Sequence, residues 1–299
     1  MELVFFIEVL AGGLLAGVMY ALVALGFVLI YKASGVFNFA QGSMVFFAAL
    51  TFVSLTERGW NFWLALAATL AVMVLLAVAT ERVVLRPLVN QAPITLFMAT
   101  IGLAFVLEGL SQLLWGSQPH GLELGIPDVP MEWLSRKWNV NISQFDLFAA
   151  FVAGALVAVL ALLFQKTRIG RALRAVADDH QAALAVGIPL QHIWAIVWAV
   201  AGFVALVAGV MWGVRNGVQY ALTFVALKAL PVLILGGFES ILGAIIGGLI
   251  IGAGEKLAEV YLGPYVGGGI ESWFAYVIAL LFLLVRPEGL FGEKHIDRV

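Results

Sequence analysis

Charge is what this sequence has least of. Asp, Glu, Lys and Arg make up 11% of its 299 residues, against about 25% in a soluble domain, which excludes a water-soluble globular chain. Cysteine is absent altogether, so disulfides, thiol catalysis and thiolate metal sites are excluded, while the redox compartment stays open. The four histidines, His120, His180, His192 and His295, are scattered and form no metal constellation. No GxxxxGK[ST] loop is present to cradle a nucleotide's phosphates. HExxH, GxSxG and carboxylate pairs at catalytic spacing are missing as well. A net charge of −2 argues against nucleic acid as a partner. The opening MELVFFIEVL lacks the basic region of a signal peptide and runs into a long apolar stretch, which predicts a retained membrane span.

What the chain has in abundance is apolar surface, with 63% hydrophobic residues and a mean hydropathy of +1.05. Runs near the ~20 residues needed to cross a bilayer occur at 10–31, 36–55, 62–84, 93–115, 145–164, 193–214, 241–257 and 266–285, with a shorter piece at 222–236. They predict an all-α polytopic bundle of about eight full spans plus one short or re-entrant segment, with membrane lipid as its surroundings. No soluble domain fits between the spans. Basic residues set the orientation, because cytoplasmic loops carry the excess of Lys and Arg. With the N-terminus outside, the inner loops hold Lys32, Arg82, Arg86, Lys166, Arg168, Arg171, Arg174, Arg286, Lys294 and Arg298. The outer ones hold Arg58, Arg136, Lys137, Arg215 and Lys256. Segment 165–189 and the C-terminus are therefore expected in the cytoplasm. The longest outer connection, 116–144, carries Trp133 and Trp138, either as headgroup anchors or as part of a docking platform for a soluble protein.

Polar residues inside apolar runs must face protein or a water-filled cavity. Asn38 and Gln41 sit three apart at the start of the second run, on nearly one helix face. They line a translocation path or bond between helices. Glu108 and Gln112 lie one turn apart in the fourth run, with Thr95 and Thr100 continuing toward its start. A carboxylate at such depth points to function, as a gate or path-lining group, although Glu108 also lies close enough to the outer end to reach the interface. Lys228, in the interrupted piece 222–236, is a snorkelling anchor or a carboxylate's partner. Gly243 with Gly247, and Gly248 with Gly252, form small-xxx-small rows that let helices meet closely, within this chain or against a second one.

Segment 165–189, QKTRIGRALRAVADDHQAALAVGIP, is the only long, densely charged stretch. Ile169, Ala172, Leu173, Val176, Ala183 and Leu184 recur at helical spacing, and Gly187 with Pro189 is a C-terminal stop. The spacing predicts a short amphipathic helix whose apolar face is offered to a partner, or else a solvated loop that only fixes topology. GRALRAVADDHQAALAVGI within it resembles the cytoplasmic coupling segment of ABC-importer permeases of the branched-chain amino acid type, the LivH-like subunit. GVMYALVALGFVLIYKASGVFNFAQG (17–42), ALKALPVLILGGFESILGAIIGGLIIG (226–252) and RPEGLFG (286–292) resemble further stretches of that family in family order.

The resemblance implies that residues 1–299 form one ABC-importer permease domain in a bacterial inner membrane. Arg171, Arg174, Asp178, Asp179, Ala182, Ala183 and Gly187 would then meet an ATPase, and Asn38, Gln41, Thr95, Thr100, Glu108 and Gln112 would line the path. It also implies a LivM-like second permease, LivG- and LivF-like ATPases, a periplasmic solute-binding protein, and small amino acids, amides or urea as solutes. Neither a cofactor nor catalysis is expected. The competing class is a self-powered transporter or channel, which needs a coupling-ion site and paired intramembrane charges.

Overall fold

The computed structural model describes residues 2–88, 91–178 and 180–292. Among them every regular element is helical, and extended backbone pairs only at the isolated bridges His120–Val218 and Pro130–Ser143. The helices are α1 (Glu2–Ser34), α2 (Gln41–Glu57), α3 (Phe62–Ala79), α4 (Pro93–Trp115), α5 (Glu132–Trp138) and α6 (Gln144–Lys166), followed by α7 (Arg168–Asp178), α8 (His180–Ala185), α9 (Leu190–Asn216), α10 (Val225–Gly236), α11 (Ile241–Val266) and α12 (Phe274–Val285). A π-helical turn, Thr80–Leu85, and a 3-10 turn, Arg86–Leu88, extend α3, and a 3-10 turn, Tyr220–Phe224, precedes α10.

Local chemistry sets the ends of these helices. Asn61 accepts a hydrogen bond from the Trp63 amide (2.9 Å) and caps α3, and Ser240 caps α11 by accepting from Gly243 N (2.9 Å). Pro93 occupies the first turn of α4, where its missing N–H costs nothing. Gly35 (φ 68°) ends α1 and Gly267 (φ 100°) ends α11 in the left-handed region that favours glycine.

Six helices are long and apolar enough to cross a bilayer: Leu3–Ser34, Phe62–Leu88, Pro93–Trp115, Gln144–Lys166, Leu190–Asn216 and Ile241–Val266. The expectation of eight full spans is thus not met among the described residues. The predicted run 36–55 contracts to the 17 residues of α2, because its first five residues belong to a backbone break. The run 266–285 contracts to the 12 residues of α12, because consecutive positive-φ glycines, Gly267, Gly268 and Gly269, precede it. The short piece expected at 222–236 is present, as the 3-10 turn and α10, with Pro231 inside the helix.

The chain divides into two compact units. One comprises Met1–Ala24, Leu124–Ala158 and Lys228–Val299. Here both small-xxx-small rows pack within the chain. A Cβ placed on Gly248 would lie 2.6 Å from the Gly17 carbonyl oxygen, and one on Gly13 would lie 2.7 Å from that of Gly252. Helices α1 and α11 therefore touch backbone to backbone, an approach that only small residues permit. Gly243 and Gly247 bring α11 against α10 in the same way, meeting the carbonyls of Gly236 and Val232. The connection ahead of α6 in this unit contains α5, whose Trp133 and Trp138 are exposed, with Lys137 Nζ 5.4 and 5.9 Å from their ring centres.

The other unit comprises Leu25–Glu123 and Val159–Leu227. Its axis is α2, buried from Gln41 to Ser54 between α3, α4 and α9. Gly209 on α9 rests against the Val45 carbonyl, where a Cβ would come within 2.5 Å. Phe47 of α2 stacks edge-on against Trp115 of α4, with ring centres 5.4 Å apart.

Gly248→Leu is expected to force α1 from α11. Overpacking of this kind costs about 1–3 kcal/mol or more, so the purified protein in detergent should melt several degrees lower by tryptophan fluorescence. Unchanged melting would show that the helices part freely.

Candidate functional site

Asn38 lies in the break 35–40 between α1 and α2, not within the second helix as its spacing predicts. The reason is that this break is stabilised by side chains. Asn38 Oδ1 accepts from Ala40 N (3.0 Å), and its Nδ2 donates to Gln41 Oε1 (3.3 Å). Thr100, seven residues into α4 and so about 10 Å along its axis, accepts from Phe39 N (3.2 Å) and shares its hydroxyl hydrogen between the Phe97 carbonyl of its own helix (2.8 Å) and the Phe37 carbonyl (3.3 Å). Irregular backbone beside apolar helices persists only where such partners replace water. Asn38, Gln41 and Thr100 are all buried, and Gln41 Nε2 has no hydrogen-bond partner among the described residues. Thr95 and Gln112 are exposed on α4. Of the six residues expected to line one path, Asn38, Gln41 and Thr100 meet at this break, while Glu108 borders an open cleft.

Glu108 is half-buried in a cleft of about 200 Å³, walled by Phe39, Ile101, Phe105, Phe224 and Leu227. Its carboxylate is held from two sides. The Ser43 hydroxyl donates to Oε1 (2.7 Å) and the Tyr220 hydroxyl to Oε2 (3.1 Å). Ser43 stands in the first turn of α2, the end of a helix that carries partial positive charge. Thr223 closes the cleft and bonds back to the Tyr220 carbonyl (2.8 Å). Neither Ser43 nor Tyr220 was indicated by sequence spacing, because they come from helices distant in the chain.

A second buried carboxylate also escaped the sequence reading. Glu255, on α11, receives a hydrogen bond from Lys228 Nζ at 3.0 Å, and Lys228 lies 5.9 Å from the Tyr20 ring. Of the two roles left open for Lys228, it takes that of a carboxylate's partner. The signal was present, since a lysine in an apolar segment requires an acid nearby. Glu255 was overlooked because it lay at the expected end of a span, whereas α11 continues to Val266.

Among the described residues, segment 165–189 is helical over Arg168–Asp178 (α7) and His180–Ala185 (α8). Thr167 caps α7 by accepting from Gly170 N (3.2 Å), and Gly170 lies so close to the Phe164 carbonyl that a Cβ would sit 1.8 Å from its oxygen. Arg174 turns back along the chain and donates to the carbonyls of Phe164 (2.7 Å) and Gln165 (3.4 Å) at the end of α6. It thereby satisfies backbone groups that the helix end leaves unpaired. Its donors are turned to its own chain rather than to a partner. Leu173, Val176 and Ala183 (2% exposed) are buried within the chain. Three of the six apolar positions are thus buried, Ala183 among them, while Ile169 (38% exposed) and Leu184 stay exposed. Of the residues expected to meet a partner, Arg171, Ala182 and Gly187 are exposed, and Leu184 (52% exposed) and Val186 (76% exposed) are exposed beside them. Asp179 and the Asp178 side chain lie outside the described residues, as do Lys294 and Arg298 of the expected inner tail.

Residues 9–286 match the family described as branched-chain amino acid transport system / permease component. Over 317 aligned positions the chain is 29% identical to the high-affinity branched-chain amino acid transport system permease protein LivH of Escherichia coli (strain K12), covering 100% of this chain and 99% of that one. It is 29% identical to the corresponding protein BraD of Pseudomonas aeruginosa, with coverage of 100% and 99%. With the probable branched-chain amino acid transport permease protein LivH of Methanocaldococcus jannaschii it shares 29% identity, over 95% and 92% of the two chains.

The Lys228–Glu255 pair is expected to be structural. Lys228→Met alone strands a buried carboxylate and should destabilise the protein by about 2–4 kcal/mol, whereas adding Glu255→Met should recover most of that loss. Thermal melts of the single and double variants in detergent check this. A double variant no better than the single would refute the pairing.

Proposed function

The chain belongs to the branched-chain amino acid transport permease family, and from that membership we propose that all 299 residues act as one transmembrane domain of an ABC importer for small, branched-chain-type amino acids. It is a multi-pass membrane protein and a permease subunit of an ABC transport system. In this reading the membrane is the cytoplasmic one, with the N-terminus outside and segment 165–189 inside. A periplasmic solute-binding protein delivers the solute, a LivM-like second permease completes the path, and LivG- and LivF-like ATPases drive it. The chain itself performs no chemistry.

The observation that carries this reading is the kinship over nearly the whole length of the chain with proteins named as transport permeases. The corner at 165–189 adds mechanical support. Thr167, Gly170 and Arg174 lock α7 to the end of α6, and Leu173, Val176 and Ala183 lock α7 and α8 into the unit. The exposed Leu184 and Val186 are the apolar side chains through which a partner would act on this segment. The ATPase contact is assigned to Arg171, Ala182, Leu184, Val186 and Gly187, and the path to the Glu108 cleft.

Two substitutions separate docking from folding. Leu184→Glu and Val186→Asp are expected to leave the melting temperature within about 2 °C, since exposed changes are usually within ~0.5 kcal/mol, while cutting ATP-dependent uptake at least tenfold in vesicles holding all partner subunits. Ala183→Asp is expected to destabilise the protein, because it buries an unpaired charge. Normal coupling in both exposed variants would remove the docking assignment. Solute uptake by this chain alone, without ATP, would overturn the importer reading.

A further inference from the structure

Several buried or partly buried carboxylates among the described residues are paired with a cation. Glu81 is paired with Arg86, Glu255 with Lys228 and Glu271 with Lys256. Glu108 is different: among the described residues no lysine or arginine pairs with it, and its carboxylate accepts from two hydroxyls. Those hydroxyls use one acceptor position on each oxygen, and a carboxylate has about four. The remaining lone pairs border the cleft of about 200 Å³. Around it stand three phenylalanines, Phe39, Phe105 and Phe224, and the Tyr220 ring. The negative faces of such rings attract cations. Phe105 is 69% exposed and Phe224 53%, so the cavity is open to an incoming molecule. Its remaining walls, Ile101 and Leu227, are aliphatic.

We infer that Glu108, held by Ser43 and Tyr220, receives the ammonium group of the solute as it passes. The inference rests on the importer reading above and narrows its solute class. A protonated amine gains a charge-assisted hydrogen bond to the carboxylate and attraction from the rings, while a branched aliphatic side chain is accommodated by the apolar walls. A neutral amide or urea gains neither charge term, and an anion without an amine is repelled. Discrimination at this point therefore favours amino acids over neutral solutes of similar size.

The test uses the complete complex in vesicles, with its receptor preloaded with leucine. Absence of ATP-dependent uptake by the wild type would defeat the importer reading itself. Given wild-type uptake, Glu108→Gln, which keeps size and shape, is expected to lower leucine uptake at least tenfold while receptor-stimulated ATP hydrolysis and melting stay near wild type. A charge-assisted bond contributes about that factor or more. Glu108→Asp should retain part of the uptake, and Tyr220→Phe, which removes one hydroxyl, should raise the half-saturating concentration severalfold. Isopentylamine, which has leucine's side chain and ammonium but no carboxylate, should inhibit wild-type uptake and lose that effect in Glu108→Gln. Isopentanol, its neutral counterpart, should inhibit neither, and leucine binding to the receptor alone should be unaffected by the amine. Wild-type uptake in Glu108→Gln, or equal inhibition by amine and alcohol, would overturn the inference. Should Glu108→Gln not fold, the amine–alcohol comparison on the wild type and Tyr220→Phe decides the matter.

Discussion

A helix that stops among other apolar helices must find partners for its free backbone groups, because no water is at hand to supply them. The architecture of the second unit follows from that constraint. Between Ser34 and Gln41 the chain leaves helical geometry, and Thr100 and Asn38 take up the freed amides and carbonyls. Because the break is sealed, α2 can begin beside the middle of α4, with Ser43 in its first turn opposite Glu108. Without the break, Ser43 would lie further along a continuous helix and Glu108 would lose a donor. The polar residues of NFAQG thus shape the site without lining it.

Polar groups on the long apolar helices divide by what they face. Most are committed to structure: the bidentate Arg86–Glu81 contact in the π turn, the Lys228–Glu255 pair, and the threonines bonded to their own helices. Such groups are costly unless matched, and once matched they hold elements in one arrangement. Glu108 combines fixed orientation with an open approach. Orientation comes from two hydroxyls on different elements, so the carboxylate is aimed without being neutralised by a neighbouring cation.

Segment 165–189 applies the same logic to force. Its rigidity depends on small details: a glycine where no Cβ fits against Phe164, a threonine cap, and an arginine that satisfies the last carbonyls of α6. Of the residues expected to meet a partner, Ala183 is buried and Arg174 bonds back to the end of α6, while Arg171, Ala182 and Gly187 are exposed. In the first unit, backbone contact between α1 and α11 through Gly13, Gly17, Gly248 and Gly252 gives equally close registration.

Sequence alone determined the class of the protein. Hydropathy, scarcity of charge and the order of family-like stretches established an all-helical membrane permease, since burying apolar surface is a property of composition and period. The presence of a charged corner at 165–189, a short broken segment before α11 and a glutamate within the apolar run of α4 were legible for the same reason. Helix ends were less so: Asn38 reads as helical by spacing, yet its side chain competes for the backbone and stops the helix. What tertiary structure alone decided was partnership. That Tyr220 and Ser43 meet on Glu108, that Lys228 finds Glu255, and that Ala183 turns inward while Leu184 turns outward depend on contacts between residues far apart in the chain. Helical periodicity says which residues share a face, but only packing says what that face meets.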